Sequence, residues 1–329
     1  MKKIIGFDDE FRSLLDQLVN NNLNNSILLT GNKGIGKNYF LIQLIEEYIR
    51  VKIKDDKTQH HLSLIHNNSH PNIRFIKKEI DEKTKKVKNF ITIDQIRKLN
   101  QFSLETSIID NLPKFILIDS ADDMNLNASN ALLKILEEPK LNTYFFLISH
   151  QPSSLISTIT SRCLKINLLN HNFDNFNSIL QLTKPNRDEE IIKFLFDITN
   201  GSPGLSSEYN FEEILELFEK IIYLVVDTDP FSDANKDIID VLSNFVNEKL
   251  KIYLSLIKFI LITMSKIKIG INISENYLSF NILKIENVSN QISAYTISRK
   301  LDYLINNEND LFTFNLDKKT FMINFIAEK

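Results

Sequence analysis

A chain of 329 residues is long enough for a substantial buried core and for two or three domains, and its formal charge of −3 gives no overall basic field of the kind that binds nucleic acid. The single cysteine, Cys163, excludes a disulfide framework and a multi-cysteine zinc site within one chain, so no zinc is expected. The start, Met1 to Gly6, runs at once into charged residues, and the longest apolar stretch, Tyr253 to Met264, is interrupted by Lys258 and too short for a bilayer, so a soluble cytoplasmic protein without a membrane partner is expected.

The first strong signal is the apolar run Ser26-Ile27-Leu28-Leu29-Thr30, which reads as a buried strand. Gly31-Asn32-Lys33-Gly34-Ile35-Gly36-Lys37-Asn38 follows directly, and Asn38 to Ile49 then carries apolar residues at helical spacing. Strand, glycine loop and helix in that order match a phosphate-binding loop, whose pattern is Gly, four residues, Gly-Lys, then Ser or Thr. Gly31, Gly34 and Gly36 let backbone N–H groups converge on phosphate oxygens at the helix N-terminus, and Lys37 adds a mobile positive charge. The closing hydroxyl normally ligates the magnesium that accompanies the nucleotide. Asn38 has no hydroxyl, so the cradle is retained and the metal ligand is altered. A glycine-rich turn preceding a lysine by chance is the bland alternative, and the flanking elements disfavour it.

Downstream, Lys52 to Asn72 is a polar stretch with His60, His61, His66 and His70, which reads as a loop with solvated histidines. Ile73 to Ile76 reads as a strand, and Lys77 to Asn89 as an exposed, charge-dense turn or hairpin. There Lys77, Lys78, Lys83, Lys85, Lys86 and Lys88 interleave with Glu79, Asp81 and Glu82, which favours a solvated hairpin over a nucleic-acid patch. Ile93 to Thr106 has helical spacing. Phe115 to Asp119 is a second buried strand, Asn127 to Glu138 a helix stopped by Pro139, Tyr144 to Ser149 a third buried strand, and Leu164 to Leu168 a closing strand. The alternation predicts a parallel α/β sheet. From Leu169 the pattern becomes helical: Glu189 to Thr199, Phe211 to Val226 and Ile238 to Lys266, with the breaker Gly201-Ser202-Pro203-Gly204 between the first two and a loop over Val226 to Asp233.

Asp119, at the end of an apolar strand, stands where P-loop proteins place the carboxylate of the magnesium shell, and Ser120 after it has no carboxylate to act as a base. Asp122 and Asp123 read as acids of a loop or helix N-terminus. Ser149 ends the neighbouring strand, as a capping serine or as a residue facing nucleotide. Arg162, in Thr160-Ser161-Arg162-Cys163, suits either a surface ion pair or a guanidinium that reaches another subunit's phosphates.

Taken together, these segments resemble the bacterial clamp-loader branch of AAA+ proteins. The resemblance rests on the glycine loop, Leu117-Ile118-Asp119-Ser120-Ala121-Asp122-Asp123-Met124-Asn125, Asn130-Ala131-Leu132-Leu133-Lys134-Ile135-Leu136-Glu137-Glu138-Pro139, and Ser149-His150-Gln151-Pro152 through Ser161-Arg162-Cys163. It covers residues 1–205. Ala121 to Asn125 and His150-Gln151-Pro152 resemble the delta-prime type of DNA polymerase III subunit more than the tau/gamma motor, as does His70-Pro71 ahead of a strand. Many relatives carry a four-cysteine zinc module where this chain has none, and Leu205 stands where the lid often supplies an arginine.

The resemblance implies an AAA+ P-loop module over 1–168, a helical lid over 169–205 and an all-helical collar over 206–329. It implies that Ser120 replaces the catalytic glutamate, that Ser149 occupies a γ-phosphate-sensing position and that Arg162 is an arginine finger acting in trans. The partners implied are delta and tau/gamma subunits, with the sliding clamp and primed DNA reached through the complex. The cofactor implied is ATP with magnesium, bound without turnover or not at all. An active tau/gamma-like ATPase, a small-molecule P-loop kinase and a stand-alone regulatory AAA+ protein are the other readings. The first is disfavoured by Asn38 and Ser120, and the second by the lack of an arginine-rich lid.

Overall fold

The computed structural model describes residues 4–53, 57–81, 87–105, 109, 112–183, 185, 187–208, 210–273 and 277–329. Within them the chain divides into two compact units, Met1–Asn175 and Phe176–Lys329.

The first unit is built on five parallel strands among the described residues, in the spatial order β2-β3-β4-β1-β5. These are β1 (Ser26–Thr30), β2 (Ile73–Ile76), β3 (Lys114–Ile118), β4 (Thr143–Ile148) and β5 (Leu164–Asn167). Every residue of β1, β3 and β4 is buried, as expected for parallel strands covered on both faces. The two-residue period divides their side chains cleanly. Ile27, Leu29, Phe115, Leu117, Tyr144, Phe146 and Ile148 enter one core with α1 (Asp8–Val19), α2 (Lys37–Lys52) and α3 (Lys57–His66). Leu28, Ile116, Ile118, Phe145 and Leu147 enter the other with α4 (Ile93–Leu104), α5 (Leu126–Glu137) and α6 (Ser157–Thr160). The predicted α/β P-loop fold class is thus what the chain adopts.

The segment Lys52 to Asn72 departs from its sequence reading as a solvated loop. Lys57–His66 is a helix, which buries His61, Leu62 and Ile65 and leaves His60 and His66 exposed. His70, 1% exposed, lies 3.2 Å from His61 between Nε2 and Nδ1, and its own Nδ1 accepts the backbone N–H of Asn72. The polar residues belong to the exposed face of a helix, which hid its amphipathic period. Burial, with His61, Arg74 and His60 nearby, lowers the His70 pKa to about 4. An unfolded histidine titrates near 6.5, so the unfolded chain takes up a proton that the fold refuses. Stability is therefore expected to fall as pH drops from about 6.5 towards 4, by about 3 kcal/mol at most from this group. Urea titrations at pH 7 and pH 5 should show a smaller shift of midpoint in His70→Gln than in the native chain.

The expected hairpin over Lys77 to Asn89 is represented by an antiparallel bridge between Ile80 and Val87 and by the bond from Lys88 N–H to the Glu79 carbonyl. Lys83, Lys85 and Lys86 of its basic run, with Glu82, lie outside the described residues, as does Thr106 at the end of the predicted helix.

The second unit is helical, and α7 (Phe173–Thr183) straddles the division between the units. It continues as α8 (Glu189–Thr199), α9 (Pro203–Glu208), α10 (Phe211–Val226), α11 (Asp233–Ser243), α12 (Asn247–Lys268), α13 (Phe280–Ser289), α14 (Ala294–Thr313) and α15 (Lys318–Ala327). The predicted run Ile238 to Lys266 is two helices, because α11 ends at Ser243 and α12 starts afresh at Asn247, with residues 244–246 between them. At the breaker, Asn200 and Gly201 take left-handed φ values of 49° and 69°, which end α8, and Pro203 opens α9. Two buried charges hold this unit. Lys300 Nζ donates to the carbonyls of Val225 and Asp227 at 2.8 and 2.7 Å, closing the C-terminal end of α10. Asp197 of α8 accepts the N–H groups of Leu278 and Ser279 ahead of α13, and burial pushes its pKa up to about 6. No helix among the described residues is long and apolar enough to cross a membrane.

Candidate nucleotide site

The register of the parallel sheet brings distant residues to one edge. β4 lies between β1 and β3, so the residues that follow all three strands sit side by side at their carboxyl ends, where ligands bind in open α/β sheets. Gly31 follows β1, Asp119 follows β3 and Ser149 follows β4.

The loop has the backbone that its glycines predict. Gly31, Gly34 and Gly36 have φ of 137°, 82° and 100°, all in the range that side chains disfavour. Gly36 is the N-cap of α2, and Lys37 is its first residue. Lys37 Nζ donates to the carbonyls of Gly31 and Asn32 at 2.5 and 2.7 Å. Burial lowers the Lys37 pKa to about 8, with Asp122 and Asp119 acting in the opposite sense. Behind the loop, His171 Nε2 lies 2.9 Å from the Ile35 carbonyl, which can only accept, so Nε2 carries the proton.

Asn38 and Asp119 are brought into contact. Asn38 Nδ2 donates to Asp119 Oδ2 at 3.0 Å, while Asn38 Oδ1 is buried with no hydrogen-bond partner among the described residues. Where a metal-binding loop sets a hydroxyl and a carboxylate around a cation, this chain joins an amide N–H to the carboxylate directly.

Ser120 has a left-handed backbone, φ 61° and ψ 67°, and its Oγ lies 3.0 Å from His150 Nε2. The position read as a lost base is therefore a hydroxyl–imidazole pair. Burial lowers the His150 pKa, and Lys37 adds to that shift.

Ser149 is fully buried, and its hydroxyl donates to Asp122 Oδ1 at 2.6 Å. Asp122 also accepts the N–H groups of His150 at 2.5 Å and Gln151 at 3.3 Å, and the hydroxyl of Ser154 at 3.4 Å. Asp122 is thus the hub that fixes the segment after β4, a role that sequence reasoning missed. The acid lies in a short 3₁₀ turn, Ala121–Asp123, where no hydrophobic period marks it. Asp123 pairs with Lys78 at 3.0 Å.

Arg162 lies in the turn between α6 and β5. Its Nη2 is 2.7 Å from Glu137 Oε1, and its Nη1 donates to the Thr158 carbonyl at 3.0 Å. Within the single chain, the guanidinium therefore makes the surface ion pair that was one of its two sequence readings. No group of three or more His, Cys, Asp or Glu side chains among the described residues is suited to hold a metal ion.

Comparison with known proteins adds a family. Residues 8–172 match the family described as DNA polymerase III, delta subunit. The chain is 43% identical over 97 residues to the delta-prime subunit of DNA polymerase III from Pseudomonas aeruginosa, covering 30% of this chain and 27% of that protein. It is 29% identical over 152 residues to the delta-prime subunit from Bacillus subtilis, covering 46% and 44%. It is 35% identical over 127 residues to the gamma subunit from Buchnera aphidicola, covering 35% and 34%. In each case the matched region is less than half the length of the curated relative. Among solved structures, a DNA polymerase III gamma subunit-related protein from Thermotoga maritima aligns over 95% of this chain and 97% of that one, at 15% identity and a TM-score of 0.44.

Proposed function

Because the chain belongs to the DNA polymerase III delta-subunit family, we propose that it is a delta-prime-like member of a clamp loader, one that completes a neighbour's ATPase site and does not turn over ATP in its own. Its partners are delta and tau/gamma subunits, and the complex places a sliding clamp on primed DNA in the bacterial cytoplasm. Residues 169–205 act as lid and 206–329 as collar.

The contact between Asn38 and Asp119 carries this reading. Gly31, Gly34, Gly36 and Lys37 suit the phosphates of a nucleotide, whose charge the dipole of α2 favours. The magnesium fits poorly, because the carboxylate that would share it is engaged by an amide donor and Asn38 presents no hydroxyl. Ser120 and His150 supply no carboxylate to orient water, and Ser149 is committed to Asp122. Arg162 carries a planar, forked guanidinium, and 36% of its side chain is exposed. It acts as the part used in trans, where its fork stabilises charge on a transferring phosphoryl group.

Calorimetric titration of the isolated chain with ATP tests the cis half of this reading. Binding heats are expected to be the same in magnesium and in EDTA, with no phosphate released. A tenfold or greater magnesium-dependent gain in affinity, or appreciable turnover, contradicts it. Asn38→Thr alone is expected to leave turnover undetectable, because position 120 still lacks a carboxylate. Co-purification tests the partners: the tagged chain should recover a delta and a tau/gamma subunit.

A further inference from the structure

We infer that Glu137 is a positioning residue for Arg162, holding the guanidinium in the orientation in which it meets a neighbour's nucleotide; this rests on the proposal that Arg162 works in trans.

The two residues lie 25 positions apart and come from different elements. Glu137 is the last residue of α5, and Arg162 follows α6. A carboxylate at a helix C-terminus stands against the helix dipole, so Glu137 is at the wrong end of α5 for helix stability. Its Oε1 accepts from Nη2 of Arg162 at 2.7 Å, while the Thr158 carbonyl accepts from Nη1 at 3.0 Å. Two acceptors on two different terminal nitrogens fix both the position and the plane of the guanidinium. An arginine fork carries five N–H donors, and these bonds engage one on each terminal nitrogen, so donors remain on both for phosphate oxygens. Glu137 can therefore keep its bond while the fork is used. An unheld arginine would have to be ordered at each encounter, and a misplaced one loses rate steeply.

Glu137 contacts no substrate in this scheme; it acts through Arg162. Both side chains are well exposed, at 49% and 36%, and removing Glu137 relieves an unfavourable dipole interaction, so Glu137→Ala is expected to fold and assemble. The substitution should lower kcat of the reconstituted, DNA-stimulated ATPase by about tenfold while leaving KM for ATP unchanged. Glu137→Gln keeps an oxygen that accepts from Nη2 and should restore most of the rate, which a loss of surface charge alone would not allow.

The reference is Arg162→Ala in the same complex. If Arg162→Ala lowers the rate and Glu137→Ala leaves it at the native value, the finger stands and the positioning role is overturned. If neither changes the rate, the finger reading falls, and this inference with it. A Glu137→Ala effect that appears only in KM, or that Glu137→Gln fails to relieve, also overturns the positioning role.

Discussion

Replacing Arg162 by alanine is expected to lower the DNA-stimulated ATPase rate of the reconstituted complex by about a thousandfold per affected site, with assembly unchanged. The reason is charge. A transferring phosphoryl group carries its negative charge on equatorial oxygens, and a planar guanidinium can fork across two of them. Within its own chain Arg162 holds an exposed ion pair with Glu137, which contributes little to folding, so its loss should leave the fold intact. Lysine is a point charge and cannot fork, so Arg162→Lys should recover only a small part of the rate. The check is steady-state ATPase with primed DNA and clamp, alongside size-exclusion chromatography of the assembled complex. A native rate from an Arg162→Ala complex removes the finger from this account.

The second large effect concerns the loop. Gly31→Ala is expected to destabilise the first unit by roughly 4 kcal/mol, combining overpacking with backbone strain. Gly31 has φ of 137°, where an L side chain is strained. A Cβ built there would overlap the Leu168 carbonyl oxygen and come within 2.7 Å of Ile35 Cδ1. The carbonyl belongs to the backbone just past β5, at the point where Leu168 N–H bonds to the Thr30 carbonyl, so relief requires parting β1 from β5. Gly36→Ala makes a useful control. Its φ of 100° is also strained, yet a Cβ there meets nothing within 4 Å, so its cost should be the smaller. Hydrogen exchange read by mass spectrometry checks both, because the loss of protection should centre on β1 and β5 in Gly31→Ala. Equal protection in the two variants would mean that the close approach to Leu168 contributes nothing.

Much of the first unit was legible because a parallel strand buried on both faces is a continuous apolar run. Ile27 to Leu29, Phe115 to Ile118 and Tyr144 to Ile148 each advertise a strand without any neighbour's help. Helices were legible where one apolar face repeats, as in Phe211 to Val226. They were not where polar groups are buried or the face is thin. Lys57–His66 buries a histidine against another histidine, a pairing that no apolar period records. Asp8–Val19 buries only Leu14 and Leu18, and its remaining signal, the acids Asp8, Asp9 and Glu10 in the first turn, suits a helix N-terminus but does not prove one.

The site was legible in its parts and not in its bonds. Gly31, Gly34, Gly36, Lys37, Asn38, Asp119, Ser149 and Arg162 were each named from the sequence, because loop spacing and strand ends carry that information. That the Asn38 amide reaches the Asp119 carboxylate depends on the spatial order of β1, β4 and β3, which adjacency in sequence does not encode. The Ser120–His150 pair, the Asp122 hub and the Glu137–Arg162 pair are of the same kind. Each joins residues at least 25 positions apart through tertiary packing, and each changes the chemistry assigned to a residue already in view.

On this proposal the chain gives its arginine to a neighbour and turns over no ATP in its own cradle. The most direct measurement is the DNA-stimulated ATPase rate of a reconstituted complex in which only this chain carries Lys37→Ala. That change removes the charge that would meet a nucleotide in the chain's own loop and leaves Arg162 untouched. A rate equal to the native complex, against the large loss in Arg162→Ala, is the predicted result. A loss in Lys37→Ala as deep as that of Arg162→Ala, with assembly intact, would mean that the chain's own loop takes part in turnover.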